Sequence, residues 1–419
     1  MAKQDGIIVG LDVGTTKVCV IVGEESERGL NILGFGSQPS EGLRKGTVVN
    51  MDSTTRSISE VLSKAELMTD CTIQKVHLAL SGSHVLGFNS HGIVAISDTE
   101  VHETDVERVI HAAKAVAVPR DRQIVEALQQ DFIVDSNKGI KEPLGISGVR
   151  LEAKVHLVTA VRAALDNVER CCMRAGLEVE SISLAQVASS QAVLHDDERE
   201  LGVALVDIGG GTTDVAVWHD RSVVHSAVIP VAGNHLTQDI AVGMRTPLAE
   251  AEKLKLKHGC AMNSLIGADE VIDVPSVGGR APEQRSRQLL GAIIEPRMEE
   301  ILTLVQHELQ RSGFEESLTS GVVITGGGSE LEGLCELAEE VLGLPVRLAK
   351  PSASKIGGLV GDVSGPRFAT AVGLVLNAHA RRGELGKPSP RSSGGGKRIA
   401  KPGNSFLSRV KKWFSAAYQ

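Results

Sequence analysis

The chain has 419 residues, 42% hydrophobic and 23% charged, with a formal net charge of −8. This length suggests about two to three domains, and the composition excludes disorder for the bulk of the chain. No apolar stretch approaches the roughly 20 residues of a membrane-spanning helix, and the N-terminus lacks the pattern of a signal peptide.

The first segment, Gly6–Val22, reads as two β-runs around an Asp12-Val-Gly-Thr-Thr-Lys17 turn. Helical spacing of Ile58, Val61, Leu62 and Ala65 predicts a helix over Ser53–Leu67, followed by a strand at Lys75–Leu80. From about His84 to Arg162 come short strands (Gly92–Ser97, Asp131–Val134, Leu151–Leu157) and a helix, Glu103–Val116. That stretch reads as a subdomain inserted into the first lobe. Helices are expected over Val158–Ala175 and Ser183–Leu194.

Gly202–Trp218 then repeats the opening layout: apolar strand, Asp207, a Gly-rich turn with two threonines, and a second strand. A repeat at this distance indicates two similar lobes rather than a solenoid. The segment from about Ser226 to Thr303 interrupts the second lobe. A strand (Val322–Thr325), a helix (Glu330–Leu342) and a strand (Pro345–Leu348) complete an α/β pattern. Arg381–Asn404, rich in Gly, Pro, Ser and basic residues, reads as a flexible linker. The six cysteines lack metal spacing and read as buried or half-buried free thiols, which suits a reducing compartment.

Three Gly-rich turns follow three apolar strands: Asp12–Lys17, Asp207–Thr213 and Thr325–Ser329. Phosphate needs many N–H donors close together, and glycine lets the backbone approach it. Gly14, Gly209, Gly210, Gly211, Gly326, Gly327 and Gly328 are the candidate cradle. Thr15, Thr16 and Thr212 add hydroxyls, and Lys17 adds charge. Asp12 and Asp207 are placed to hold a hydrated Mg²⁺. A lone Gly-Gly-Gly turn is commonly a hairpin, but two matching copies plus a third turn favour a nucleotide site. No P-loop motif occurs.

The last fifteen residues carry a second signal. As a helix, Phe406, Leu407, Val410, Trp413, Phe414 and Ala417 fall within an arc of about 120°. Arg409, Lys411 and Lys412 flank that arc, a pattern suited to an anionic membrane surface. A helix docked on the body, or on a partner, is the competing reading. From Ala380 onward ten Lys/Arg face one acidic residue, so the rest of the chain carries −17. Such a body is a poor nucleic-acid binder.

The three turns together resemble the actin-like ATPase superfamily. That resemblance implies a two-lobed fold (a duplicated ribonuclease H-like unit) binding ATP and Mg between the lobes. It also implies a helix beside the base and ribose, matched by Ala251–Gly259 and pointing to Glu252, Lys253 and Lys255. Active relatives place a Glu or Gln before a Pro to orient the attacking water. Ala185 and Gln186 stand there in this chain, so tight ATP binding with weak hydrolysis is expected.

The core, the insertion and the basic tip together resemble the FtsA family of bacterial cell-division proteins, over essentially the whole chain. Matching stretches include Leu201–Thr212, Val228–Asn234, Ser276–Arg280 and Ile294–Arg297. The resemblance implies subdomains 1A (1–83 and 163–196), 1C (84–162), 2A (197–226 and 303–380) and 2B (227–302). A linker (381–404) and an amphipathic membrane-targeting helix (405–419) would follow. It further implies head-to-tail polymers on the cytoplasmic face of the inner membrane at the septum. Subdomain 2B would grip the C-terminal peptide of FtsZ, and subdomain 1C would contact later division proteins. Arg297 is the candidate contact for the acidic peptide, with an internal salt bridge as its alternative fate. A sugar kinase and a chaperone-type ATPase share the core, as does a pilus-assembly adaptor, but none of these accounts for the tip.

Overall fold

The computed structural model describes residues 6–26 and 29–386. The residues expected to target a membrane, Phe406 to Phe414 among them, and residues 387–404 of the expected linker lie outside the described residues. The last described helix, Ala369–Gly386, extends into the expected linker, so residues 381–386 are helical. Among the described residues no helix is long and apolar enough to cross a membrane.

Two lobes share one plan. In the first, strands Ile7–Val13, Lys17–Ser26 and Gly29–Pro39 form an antiparallel triple, and Lys75–Leu80 adds in parallel to the first of them. In the second, Val203–Ile208, Thr213–His219 and Ser222–Ile229 repeat the triple, and Val322–Thr325 adds in parallel. The register pairs Asp12 with Cys19 in one lobe and Asp207 with Asp214 in the other. The strands are dense in Val, Ile, Leu and Ala because helices cover both faces of the sheets. The helix Met51–Thr69 shows the local logic. Asn50 caps it through a 3.0 Å bond from Ser53 N–H, and its apolar stripe is buried.

The inserted subdomain carries a four-stranded sheet ordered Val85–Ala95, Arg150–Val161, Arg122–Val134, Asn137–Ile140. The helix Glu103–Lys114 packs on it around Val109, Phe132, Leu151 and Leu157. Its strands are longer than the sequence suggests. Val158–Val161, expected as helix, continue the strand paired with both neighbours, and the helix begins at Arg162. β-branched Val158, Thr159 and Val161 favour that outcome. Likewise Ser183 and Leu184 end a strand before the helix Ala185–Val193, and the helix expected from Glu330 starts at Leu334.

Although it interrupts the first lobe, the inserted subdomain touches the edge strand of the second. Asn89 Nδ2 donates to the Val224 carbonyl and Gln130 Nε2 to the Val223 carbonyl, both at 2.9 Å. The His156 ring joins Asn89 Oδ1 and Ser226 Oγ, each at 2.7 Å. Burial pushes that imidazole down to about 4, so it stays neutral. Gly87 permits the approach: a Cβ there would stand 2.3 Å from Ser226 Oγ.

The chain crosses between lobes through Asp196–Leu201 and returns between Val346–Leu348 and Ile356–Gly358. The helix Ala185–Val193 lies at this crossing. The last carbonyls of a helix lack partners within it, and here the neighbouring segments supply them. Lys355 Nζ donates to Gln191 and Leu194, Ser352 N–H to Ala192, Arg347 Nη2 to Val193 and Arg199 Nη2 to Ser190. The helix Ala369–Gly386 packs against Ala185–Val193 with almost no gap, since a Cβ on Gly373 would lie 1.8 Å from the Ala188 carbonyl oxygen. A helical Gly→Ala change usually gains about 1 kcal/mol. At this contact Gly373→Ala should instead destabilise by about 2 kcal/mol, read as a lowered denaturant midpoint at unchanged slope.

Candidate functional site

The three turns converge on one cleft of about 970 Å³ between the lobes. The first is closed by a 2.9 Å bond from Gly14 N–H to the Lys17 carbonyl, the second by an identical bond from Gly209 to Thr212. They interlock across the cleft. A Cβ on Gly210 would stand 1.7 Å from Thr16 Oγ1, and one on Gly211 2.4 Å from Thr15 Oγ1. Gly326 has φ +87, and a Cβ there would come within 2.3 Å of Asp207 Oδ1. Glycine is therefore required in these turns by contact as well as by conformation.

Carboxylates line the base. Asp207 accepts from Ser189 Oγ at 2.6 Å and from Thr370 Oγ1 at 3.2 Å. Asp12 lies 3.7 Å from Lys17 Nζ. Burial raises both carboxyl pKa values, opposed at Asp12 by Lys17 and at Asp207 by the Ser189 hydrogen bond. Asp214, unremarked in the sequence, sits beside them. Burial, then the Asp207 charge, pushes it up to about 8, while the Ser81 hydroxyl donates to its carboxylate at 2.7 Å. Ser81 directly follows the first-lobe strand Lys75–Leu80 and Asp214 belongs to the second lobe, so this bond spans the cleft. Carboxylates whose ionised form is so poorly compensated fit a hydrated divalent cation. Among the described residues no group of three or more His, Cys, Asp or Glu is arranged to hold a bare ion.

Glu252 and Lys255 line the cleft, pair at 2.7 Å and both bond Thr237. Lys253, one position from Glu252, points elsewhere and pairs with Glu250, because neighbours on a helix face apart. Ala185 lines the cleft, whereas Gln186 is fully buried and donates towards the Val215 and Ala227 carbonyls. Arg297 lies away from the cleft, with its guanidinium on Asp239 at 2.6 Å and on Glu300. These partners hold its pKa above the usual value. Asn234, Thr370 and Arg367 also line the cleft. Sequence reasoning named none of them as site residues: Asn234 closes the family-like stretch Val228–Asn234 without a role attached, and no short motif marks Thr370 or Arg367. Asp214 had a signal, being the second acid of the repeated hairpin.

Two family models match the chain: "Cell division protein FtsA" over residues 204–373 and "SHS2 domain inserted in FTSA" over residues 82–159. The chain is 48% identical to the cell division protein FtsA of Pseudomonas aeruginosa, over 97% of each chain. It is 42% identical to that of Escherichia coli K12, over 98% of each. Among solved structures it resembles a chain of the PilM-PilN type IV pilus biogenesis complex, at TM-score 0.62 and 18% identity, covering 89% of this chain and 98% of that one. It also resembles MreB 5 of Spiroplasma citri bound to AMPPNP, at TM-score 0.54 and 16% identity, covering 91% and 98%. These structural likenesses establish the actin-like fold.

Asp214 gives the cleft a pH signature. Its carboxyl holds a proton to about pH 8 when folded but ionises near 3.8 when unfolded. Between those values the unfolded chain binds fewer protons, so stability falls as pH rises. Asp214→Asn, neutral throughout, should show a smaller drop in nucleotide-free melting temperature between pH 5 and pH 8. Parallel curves for parent and variant would contradict this assignment.

Proposed function

The chain belongs to the FtsA family of cell division proteins, and on that premise we propose that it is an ATP-binding, polymerising tether for FtsZ filaments. It would act on the cytoplasmic face of the inner membrane at the division septum. The observation that carries the reading is the interlocked pair of Gly-Thr turns at the base of the cleft. Backbone N–H groups there come from both lobes, so a polyphosphate between them would be held from two sides. The MreB 5 structure, bound to AMPPNP, supports the choice of nucleotide. Asp12 and Asp207 would hold Mg²⁺ through water, and Glu252 and Lys255 stand on the helix expected beside the ribose.

Hydrolysis is slow in this reading. Ala185 has no polar group to orient a water, and Gln186 is committed to backbone carbonyls. The protein then works as an ATP-gated assembly unit more than as an enzyme. Subdomain 2B, residues 227–302, takes the acidic FtsZ C-terminal peptide. For Arg297 to contribute, a peptide carboxylate would exchange with Asp239 or Glu300. The inserted subdomain takes later division proteins. The body, at −17, is repelled by anionic lipid, and the +9 tail reaches the surface for it. Each of its cations adds roughly 1 kcal/mol near such a membrane, and head-to-tail assembly multiplies weak tails into firm attachment.

Flotation with anionic liposomes and Mg-ATP tests this directly, with and without the FtsZ tail peptide. The parent protein should float and carry the peptide. The triple variant Phe406→Asp, Trp413→Asp, Phe414→Asp should remain at the bottom while still binding ATP. Asp207→Ala should weaken ATP binding roughly 10- to 100-fold, the scale of one lost charged interaction. Undiminished flotation of the triple variant would refute the membrane role, and many turnovers per second would refute slow hydrolysis.

A further inference from the structure

We propose that Arg367 is a second phosphate-binding cation beside Lys17, one that makes the cleft sensitive to the length of the nucleotide's phosphate tail. This rests on the nucleotide reading above. Arg367 lies on the return path into the first lobe, in the short turn Pro366–Phe368 just before the C-terminal helix. It lines the cleft and is exposed there.

Several observations fix its setting. Lys17 Nζ donates to the Arg367 backbone carbonyl, which binds the first turn to this segment. The Lys17 ammonium and the Arg367 guanidinium each lie 5.1 Å from the centre of the same Phe368 ring. The two cations therefore cannot be more than about 10 Å apart. Phe368 is buried, so the ring is a fixed platform on which both charges rest. On the other side, a Cβ on Gly327 of the third turn would be 3.8 Å from Arg367 Cβ. Arg367 thus stands between the first and third turns.

Charge accounting separates it from the other arginines singled out above. Arg199, Arg297 and Arg347 are all engaged by carboxylates. Among the described residues no ion pair includes Arg367, and Lys17 has only Asp12, at 3.7 Å. Lys17 is answered by Asp12 and at longer range by Asp207, whereas Arg367 has no such partner and repels the neighbouring ammonium unless an anion joins them. A guanidinium suits that anion well, because its fork matches two phosphate oxygens at once. The carboxylates occupy the buried base and the cations the wall. This polarity fits a metal-bearing polyphosphate better than a neutral ligand.

Arg367→Gln and Arg367→Glu test the assignment, with dissociation constants measured for ATP, ADP and AMP at fixed salt. Arg367→Gln should weaken ATP about 10-fold, ADP less, and AMP little; Arg367→Glu should steepen the same gradient. Both variants should melt within a few degrees of the parent, since the side chain is exposed and gives up only its contact with the Phe368 ring. An equal loss for all three nucleotides would assign Arg367 to the base or to folding and overturn the proposal, as would undiminished ATP binding. If the parent protein itself bound no nucleotide, the site reading would fall before either variant was measured.

Discussion

The lobes are joined through the end of one buried helix. Residues Ala185–Val193 end where the chain leaves the first lobe, and the carbonyls that a helix cannot satisfy itself are taken up by Lys355, Ser352, Arg347 and Arg199. The outgoing and returning crossings thereby become one connected unit rather than two loose strands. Arg347 is in turn held by both oxygens of Glu198 at 2.7 Å. Burial lowers the Lys355 ammonium to about 8, and its carbonyl partners are what make that position tolerable. Removing Arg347 would leave the buried Val193 carbonyl without that partner, a penalty of roughly 1–3 kcal/mol, whereas the Ser190 carbonyl would keep the Leu194 N–H if Arg199 were lost.

Everything at the cleft inherits its precision from that joint. Thr15 and Thr16 meet Gly210 and Gly211 at distances that allow no added atom. Such contacts persist only if the lobes return to the same relative position. The helix Ala369–Gly386, laid directly on the joint, delivers Thr370 to Asp207 and sets Arg367 one turn earlier beside Lys17. Residues far apart in sequence reach one cavity because the two joined crossings align both sheets.

The duplicated hairpin made the fold legible: a strand, an acid, a Gly-Thr turn and a second strand, twice. Turn chemistry is local and survives in sequence as a pattern. What failed to show depended on long-range placement. Asp214 differs from Cys19 in the equivalent register position, yet only the facing Ser81 makes it part of the cleft. Lys253 looked equivalent to Glu252 and Lys255 in a run of charges, but helix geometry sent it to Glu250. Arg297 had two plausible fates, and the positions of Asp239 and Glu300, not the motif around it, decide which partners it has. The strand end at Val158–Val161 was lost to a helical reading because pairing with two neighbours is invisible to a local window.

The seam between the inserted subdomain and the second lobe ties the two lobes together at a second place, away from the cleft. The insertion is covalently part of one lobe and hydrogen-bonded to the edge strand of the other through Asn89, Gln130 and His156. Any wide swing of the lobes would have to break those bonds, and the imidazole held between Asn89 and Ser226 is buried and neutral. Opening the cleft widely would therefore carry the added cost of parting a contact that lies outside it. A load placed on the inserted subdomain would accordingly be felt by both lobes, through its chain connection to one and its hydrogen bonds to the other.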